Sequence, residues 1–274
     1  MKNQLVSTRL NVNAGIMSWY VKELKKLTQA MTKECKEKLA EIYRQGYPQI
    51  AFDDSISSQA RIALNQLYQK YSDKFSKRSK TLCKQLLKRT NRYSNNQINN
   101  ALKVMLGASA KDFLLKGSAI SPEKSEIMKA LLFENVSLIK SIPNEYFKQI
   151  TGAVARSIEN GEGVKWLAKE LKTYGAKSER RADLIAQDQT RKAYNTINLR
   201  NFQENGIRQF KWLHSGGSRD PRDYHKTDYP NGLNGGIFDV DDPPVIDKKT
   251  GEKGFPGQLP YCRCVMQAVL NFDD

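Results

Sequence analysis

Apolar residues recur at Ile16, Tyr20, Leu24, Leu27, Met31, Cys35, Leu39 and Ile42, in steps of three and four. That spacing puts all eight on one face of a single long helix. A stripe of this length has to be covered by other helices, so it commits the first part of the chain to helix-on-helix packing. Gly46 and Pro48 mark its end. A second stripe follows at Ala60, Leu64, Leu67, Tyr71, Phe75, Leu82 and Leu86. Between its apolar positions stand Lys70, Lys74, Lys77, Arg78, Lys80, Lys84, Lys88 and Arg89, so this helix is expected to show a strongly basic outer surface. Two such helices in succession predict an antiparallel hairpin or bundle.

The charge is unevenly placed. Residues 179–274 hold 14 basic and 14 acidic side chains, so the whole formal excess of +16 falls within residues 1–178. A field of that sign favours nucleic acid or an acidic protein partner; a solvated basic helix face is the plain alternative. No run approaches the ~18 apolar residues of a membrane span, so no membrane partner is expected. The start, MKNQLVSTRLNVNAG, has no apolar core with a small-residue cleavage site, and synthesis in the cytoplasm is expected.

Further along, Ser94–Asn100 (SNNQINN) reads as a polar turn leading to a short helix near Ala101–Leu115. Ser121-Pro122-Glu123 reads as a helix start, with Ser as cap, Pro at the first helical position and an acid in the first turn. Pro143 is expected to break that helix, Gly175 to close a short one, and Ser178 to cap the next. Beyond Gly206, Ile207–Leu213 and Cys262–Leu270 read as strands, with a short apolar piece at Gly236–Val240 in a stretch dominated by Gly, Pro and Asp. The expected fold is mainly α, with long N-terminal helices followed by a small α+β C-terminal domain. The expected division is a basic all-α region at 1–178 and an α+β domain at 179–274.

Several phrases from about Leu132 to Leu270 occur in a recognisable order. They are ENVSLIKSIPNEYFKQITGAV, then RRADLIAQDQTRKAYNTINLRNFQENGI, then WLHSGGSRDPRDYH, FDVDDPP and FPGQLPYCRC. This series resembles the phage head-morphogenesis family typified by phage Mu protein F. The resemblance implies a minor structural protein of a tailed-phage head, present in few copies near the portal vertex or inside the shell. It implies a role in capsid assembly, portal or major capsid protein as partner, a place in the virion, and for some members a part in DNA ejection. It implies no turnover chemistry and no small-molecule substrate. Residues 1–130 lie outside it.

Both histidines of the chain, His214 and His225, fall within these phrases, as does the tight pair Cys262-Arg263-Cys264. Two imidazoles and two thiols suit tetrahedral Zn²⁺, so one structural Zn²⁺ is the cofactor these four residues would hold. The Gly/Pro-rich Ser215–Gly257 stretch looks short of apolar burial, and a metal would staple it. Hydrogen bonding and packing alone is the competing reading. Cys35 and Cys83 lie on the helical stripes and read as small core residues. Asp239, Asp241 and Asp242 read as a solvated turn rather than paired catalytic carboxylates. Ser215 lacks the nucleophile elbow of a hydrolase. Arg219, Arg222 and Arg263 could fork onto carboxylate or phosphate, or tie down the turn-rich fold. No catalytic residue is identified. A virion assembly protein is the leading expectation, a DNA-binding virion-internal protein the second, and a phage nuclease or toxin the third.

Overall fold

The computed structural model describes residues 4–44, 56–112, 120–216 and 222–271. Its elements are β1 (Gln4–Val6), α1 (Ala14–Arg44), α2 (Ile56–Leu106), a 3₁₀ turn (Gly107–Asp112), α3 (Pro122–Glu159), α4 (Val164–Glu204), β2 (Gln209–Leu213), α5 (Asp223–Lys226), β3 (Ile237–Asp239), β4 (Val245–Asp247), β5 (Glu252–Lys253) and β6 (Val265–Asn271). Long helices followed by a small strand-bearing region are the expected mainly α fold. The chain forms two compact units that interleave in sequence. One takes Met1–Met17, Gln85–Leu131 and Gln187–Asp274; the other takes Ser18–Lys84 and Leu132–Ala186.

The second of these is a helical bundle. Glu23 of α1 pairs with Arg78 of α2 at 2.7 Å, and Glu34 pairs with Lys70 at 2.6 Å, so the two helices run antiparallel. Lys25 with Asp183 and Gln29 with Glu179 give the same sense for α1 and α4. The predicted α1 stripe is buried throughout, from Tyr20 to Ile42.

The other unit is built on a four-stranded antiparallel sheet in the order β1-β6-β2-β3. The period-two pattern of β2 buries Phe210 and Trp212. They pack into one core with Leu10, Ile98, Leu102, Tyr194, Phe202, Val240, Ile246 and Met266. The predicted strands at Ile207–Leu213 and Cys262–Leu270 are therefore β2 and β6, paired from Gln209↔Val269 to Leu213↔Val265.

Several sequence expectations are corrected. Residues 1–178 are not all-α, because Gln4–Val6 adds an edge strand to the C-terminal sheet and Leu10 bridges Met266. The boundary at 178/179 falls within α4. No helix ends at Gly175 or begins at Ser178, because both are small buried members of a stripe running Leu167, Leu171, Gly175, Ser178, Ala182 and Ile185 within α4. Packing of that stripe overrides the local signals. Pro143 does not break α3. Ile142 and Tyr146 on either side are buried, and the Ser141 hydroxyl donates to the Leu138 carbonyl at 2.7 Å in the turn that the missing N–H weakens.

The polar SNNQINN segment is not a turn but part of α2. Its Ser94 and Asn95 are buried and accept hydrogen bonds from the Asn201 amide at 2.7 and 3.0 Å. The Asn201 side-chain oxygen in turn accepts from Lys124, a buried lysine near the start of α3. Burial pushes the Lys124 ammonium below its ordinary range, and Glu204, 3.7 Å away, counters that. The predicted start of α3 holds, with the Lys124 backbone N–H donating to the Ser121 hydroxyl at 3.1 Å.

Candidate metal centre

The antiparallel register Leu213↔Val265 sets His214, just past β2, beside Cys264, just before β6. His214 Nδ1 lies 3.7 Å from Cys264 Sγ. His225 comes from α5, a single turn tied down where Arg222 donates twice to the Pro260 carbonyl at 3.2 Å. It is buried, with Nδ1 3.5 Å from Cys262 Sγ and 4.0 Å from Cys264 Sγ. Donor atoms of His225, Cys262 and Cys264 all lie within 4.8 Å of one another. His214 is half-buried and joins this group through Cys264.

The surroundings fix the orientation of each group. His225 Nε2 is 2.8 Å from the Ile246 carbonyl, which can only accept, so Nε2 carries the proton and donates. Nδ1 is thereby turned toward the sulfurs. Trp212 meets the His225 ring edge-on, with centroids 5.1 Å apart. The Gly257 N–H donates to Cys262 Sγ at 3.4 Å. Gly257 sits at φ +78°, where its backbone comes so close to Asn195 that a Cβ would overlap the amide. Tyr261, at φ 61°, sharpens the turn into the Cys-x-Cys pair, and its N–H donates to Asp188 of α4 at 3.1 Å.

The two thiols titrate as a pair. Hydrogen bonding from Cys264, and then from His225, pulls the Cys262 thiol far below its ordinary range despite burial. The same interaction with Cys262 pushes Cys264 up. All four cysteines are free.

Other predicted features lie elsewhere. The expectation that Ser215–Gly257 lacks apolar anchors is corrected, since Leu233, Val240 and Ile246 are buried in the sheet core. Asp239, Asp241 and Asp242 are exposed; the Asp241 N–H donates to Asp239 at 2.7 Å, and Asp242 pairs with Lys253 at 2.6 Å. Arg222 clamps the backbone as described, and Arg219 lies outside the described residues. Lys70, Lys74, Lys77, Arg78, Lys80, Lys84, Lys88 and Arg89 are all exposed on α2. Lys70, Lys77 and Arg78 already pair with Glu34, Asp73 and Glu23. Sequence reasoning missed the Ile246 carbonyl, the Gly257 N–H and Asp188. Backbone groups leave no residue signature, and Asp188 sits in the helix that precedes the sheet.

Residues 148–267, which include the whole cluster, match the family described as Phage Mu protein F like protein. The chain is also 28% identical over 282 aligned residues to an uncharacterized protein of Haemophilus influenzae, a match covering 99% of this chain. It spans 58% of the length of that relative. No solved structure matches. Among the described residues no helix is long and apolar enough to cross a membrane.

Proposed function

We propose that this chain, whose residues 148–267 are phage Mu protein F-like, is a minor structural protein of a tailed-phage head that acts in capsid assembly. The family match carries this reading. The fold supports it, because long buried helical stripes and a small sheet unit make a scaffold suited to assembly contacts. Its partners are the portal protein or the major capsid protein, its place is the head interior or portal vertex, and a part in DNA ejection fits the same position. Early termination of its gene in the phage or prophage that encodes it should sharply reduce DNA-filled, infectious heads, with rescue by the gene in trans. Normal heads and normal titre without the gene would overturn the reading.

The exposed basic row of α2 favours a second role in binding packaged DNA. Lys74, Lys80 and Lys84 point this charge outward in the helical unit. Each neutralised phosphate releases counterions, so log affinity should fall with log salt at a slope of about −0.9 per phosphate on duplex DNA. Reversing Lys74, Lys80 and Lys84 to Glu should flatten that slope by roughly one for each phosphate no longer neutralised. Affinity that ignores both salt and these substitutions would remove the DNA role. In the same incubations, plasmid DNA should stay intact with Mg²⁺ or Mn²⁺. Cutting that disappears with Asp239→Ala or His225→Ala would establish a nuclease instead.

A further inference from the structure

We propose that His225, Cys262 and Cys264 hold one structural Zn²⁺, with His214 as the fourth ligand, locking α5 and the Cys-x-Cys turn onto the end of the β2–β6 pair. The distances carry the inference. Tetrahedral Zn²⁺ with bonds of ~2.3 Å to sulfur and ~2.0 Å to nitrogen sets its ligands ~3.6 Å apart for a sulfur–nitrogen pair and ~3.8 Å for two sulfurs. The observed sulfur–nitrogen separations are 3.5, 3.7 and 4.0 Å. They match three edges of a tetrahedron of that size: His225 lies within range of both sulfurs, and His214 is set beside the group by its one edge to Cys264.

The surrounding groups point the same way. A ligating imidazole ordinarily donates its other N–H to a carbonyl or carboxylate, and His225 does so to Ile246. A thiolate gains from an N–H donor, and Cys262 has one from Gly257. Two buried thiols facing a buried imidazole make a soft, convergent donor set with no carboxylate in it, which favours Zn²⁺ over Mg²⁺ or Ca²⁺. With His214 drawn in as the fourth ligand, all coordinating positions would be filled by protein, as in structural rather than catalytic zinc sites. The metal would add to a unit that already has an apolar core, so it rigidifies one end of the sheet rather than substituting for a core.

The full chain, expressed with zinc and purified without chelator, should contain about one Zn²⁺ per molecule by elemental analysis. Cys262→Ser and Cys264→Ser should each lower that content at least about tenfold, and His214→Asn should weaken affinity while leaving the fold unchanged. Replacement by Co²⁺ should give a tetrahedral visible spectrum with a sulfur-to-cobalt charge-transfer band. Because the Ser variants could fold poorly, the unaltered chain supplies a second readout. Zn²⁺ should protect Cys262 and Cys264 from alkylation and chelation should expose them, while Cys35 and Cys83 in the helical unit stay unchanged. A metal-free native protein whose cysteine alkylation and spectrum do not respond to added Zn²⁺ or Co²⁺ would overturn the proposal. Unchanged Zn²⁺ affinity in His214→Asn would overturn the place of His214 in it.

Discussion

Trp212→Ala should destabilise the sheet unit by about 3–5 kcal/mol, the range for deleting a large buried aromatic. Trp212 is fully buried on β2 opposite Met266, and its ring forms one wall of the His225 pocket. Losing it removes apolar burial and leaves a cavity that β2, fixed on both sides by β3 and β6, cannot close. At roughly 2–4 °C per kcal/mol for a unit of this size, the melting temperature should fall by about 6–20 °C. Cys262 and Cys264 should also alkylate faster in the variant. Trp212→Phe keeps most of the volume and should lose less than half as much. Chemical denaturation followed by circular dichroism measures both. A loss under about 1 kcal/mol for Trp212→Ala would mean that Trp212 does not hold this core together.

The second large effect is expected at Lys124. Lys124→Ala should cost about 3 kcal/mol, because it removes a buried charge-assisted hydrogen bond to Asn201 and the buried aliphatic stem together. Glu204 keeps its ion pair with Arg200 at 3.3 Å, which limits the cost below that of a fully orphaned charge. Lys124→Met restores the stem and should recover part of the loss, leaving the polar share of about 1.5–3 kcal/mol. The depressed pKa also sets a sign. The folded state disfavours the charged ammonium, so the part of stability tied to Lys124 should grow as pH rises through its folded pKa. Lys124→Met should remove that pH dependence. Equal stability of the Ala variant and the parent would show that the Ser94, Asn95, Lys124 and Asn201 network contributes nothing.

The long helices were legible because their stripes are long, and a period of three and four repeated over eight positions has no other reading. The strand pair β2 and β6 was legible from alternation and composition. From it, the approach of His214 to Cys264 followed as a matter of register. What escaped the sequence has a common cause. Gly175 and Pro143 carry strong local stop signals and Ser178 a start signal, yet each sits where buried neighbours hold the helix together. Ser94 and Asn95 read as part of a polar turn, yet they join Asn201 and Lys124 in a hydrogen-bonded network in the interior. Gln4–Val6 is too short for a pattern to show, and its place in the sheet depends on a partner strand at the far end of the chain, Val269–Asn271. Such outcomes rest on long-range partners, which periodicity cannot see.

The most direct test of the head-protein reading is quantitative mass spectrometry of gradient-purified, DNA-filled heads beside DNA-free proheads and whole lysate. Peptides of this chain should co-purify with heads at a small, fixed fraction of the major capsid protein. They should span both the basic helices and the phage Mu protein F-like stretch. A chain abundant in the lysate but absent from both heads and proheads would contradict the proposal.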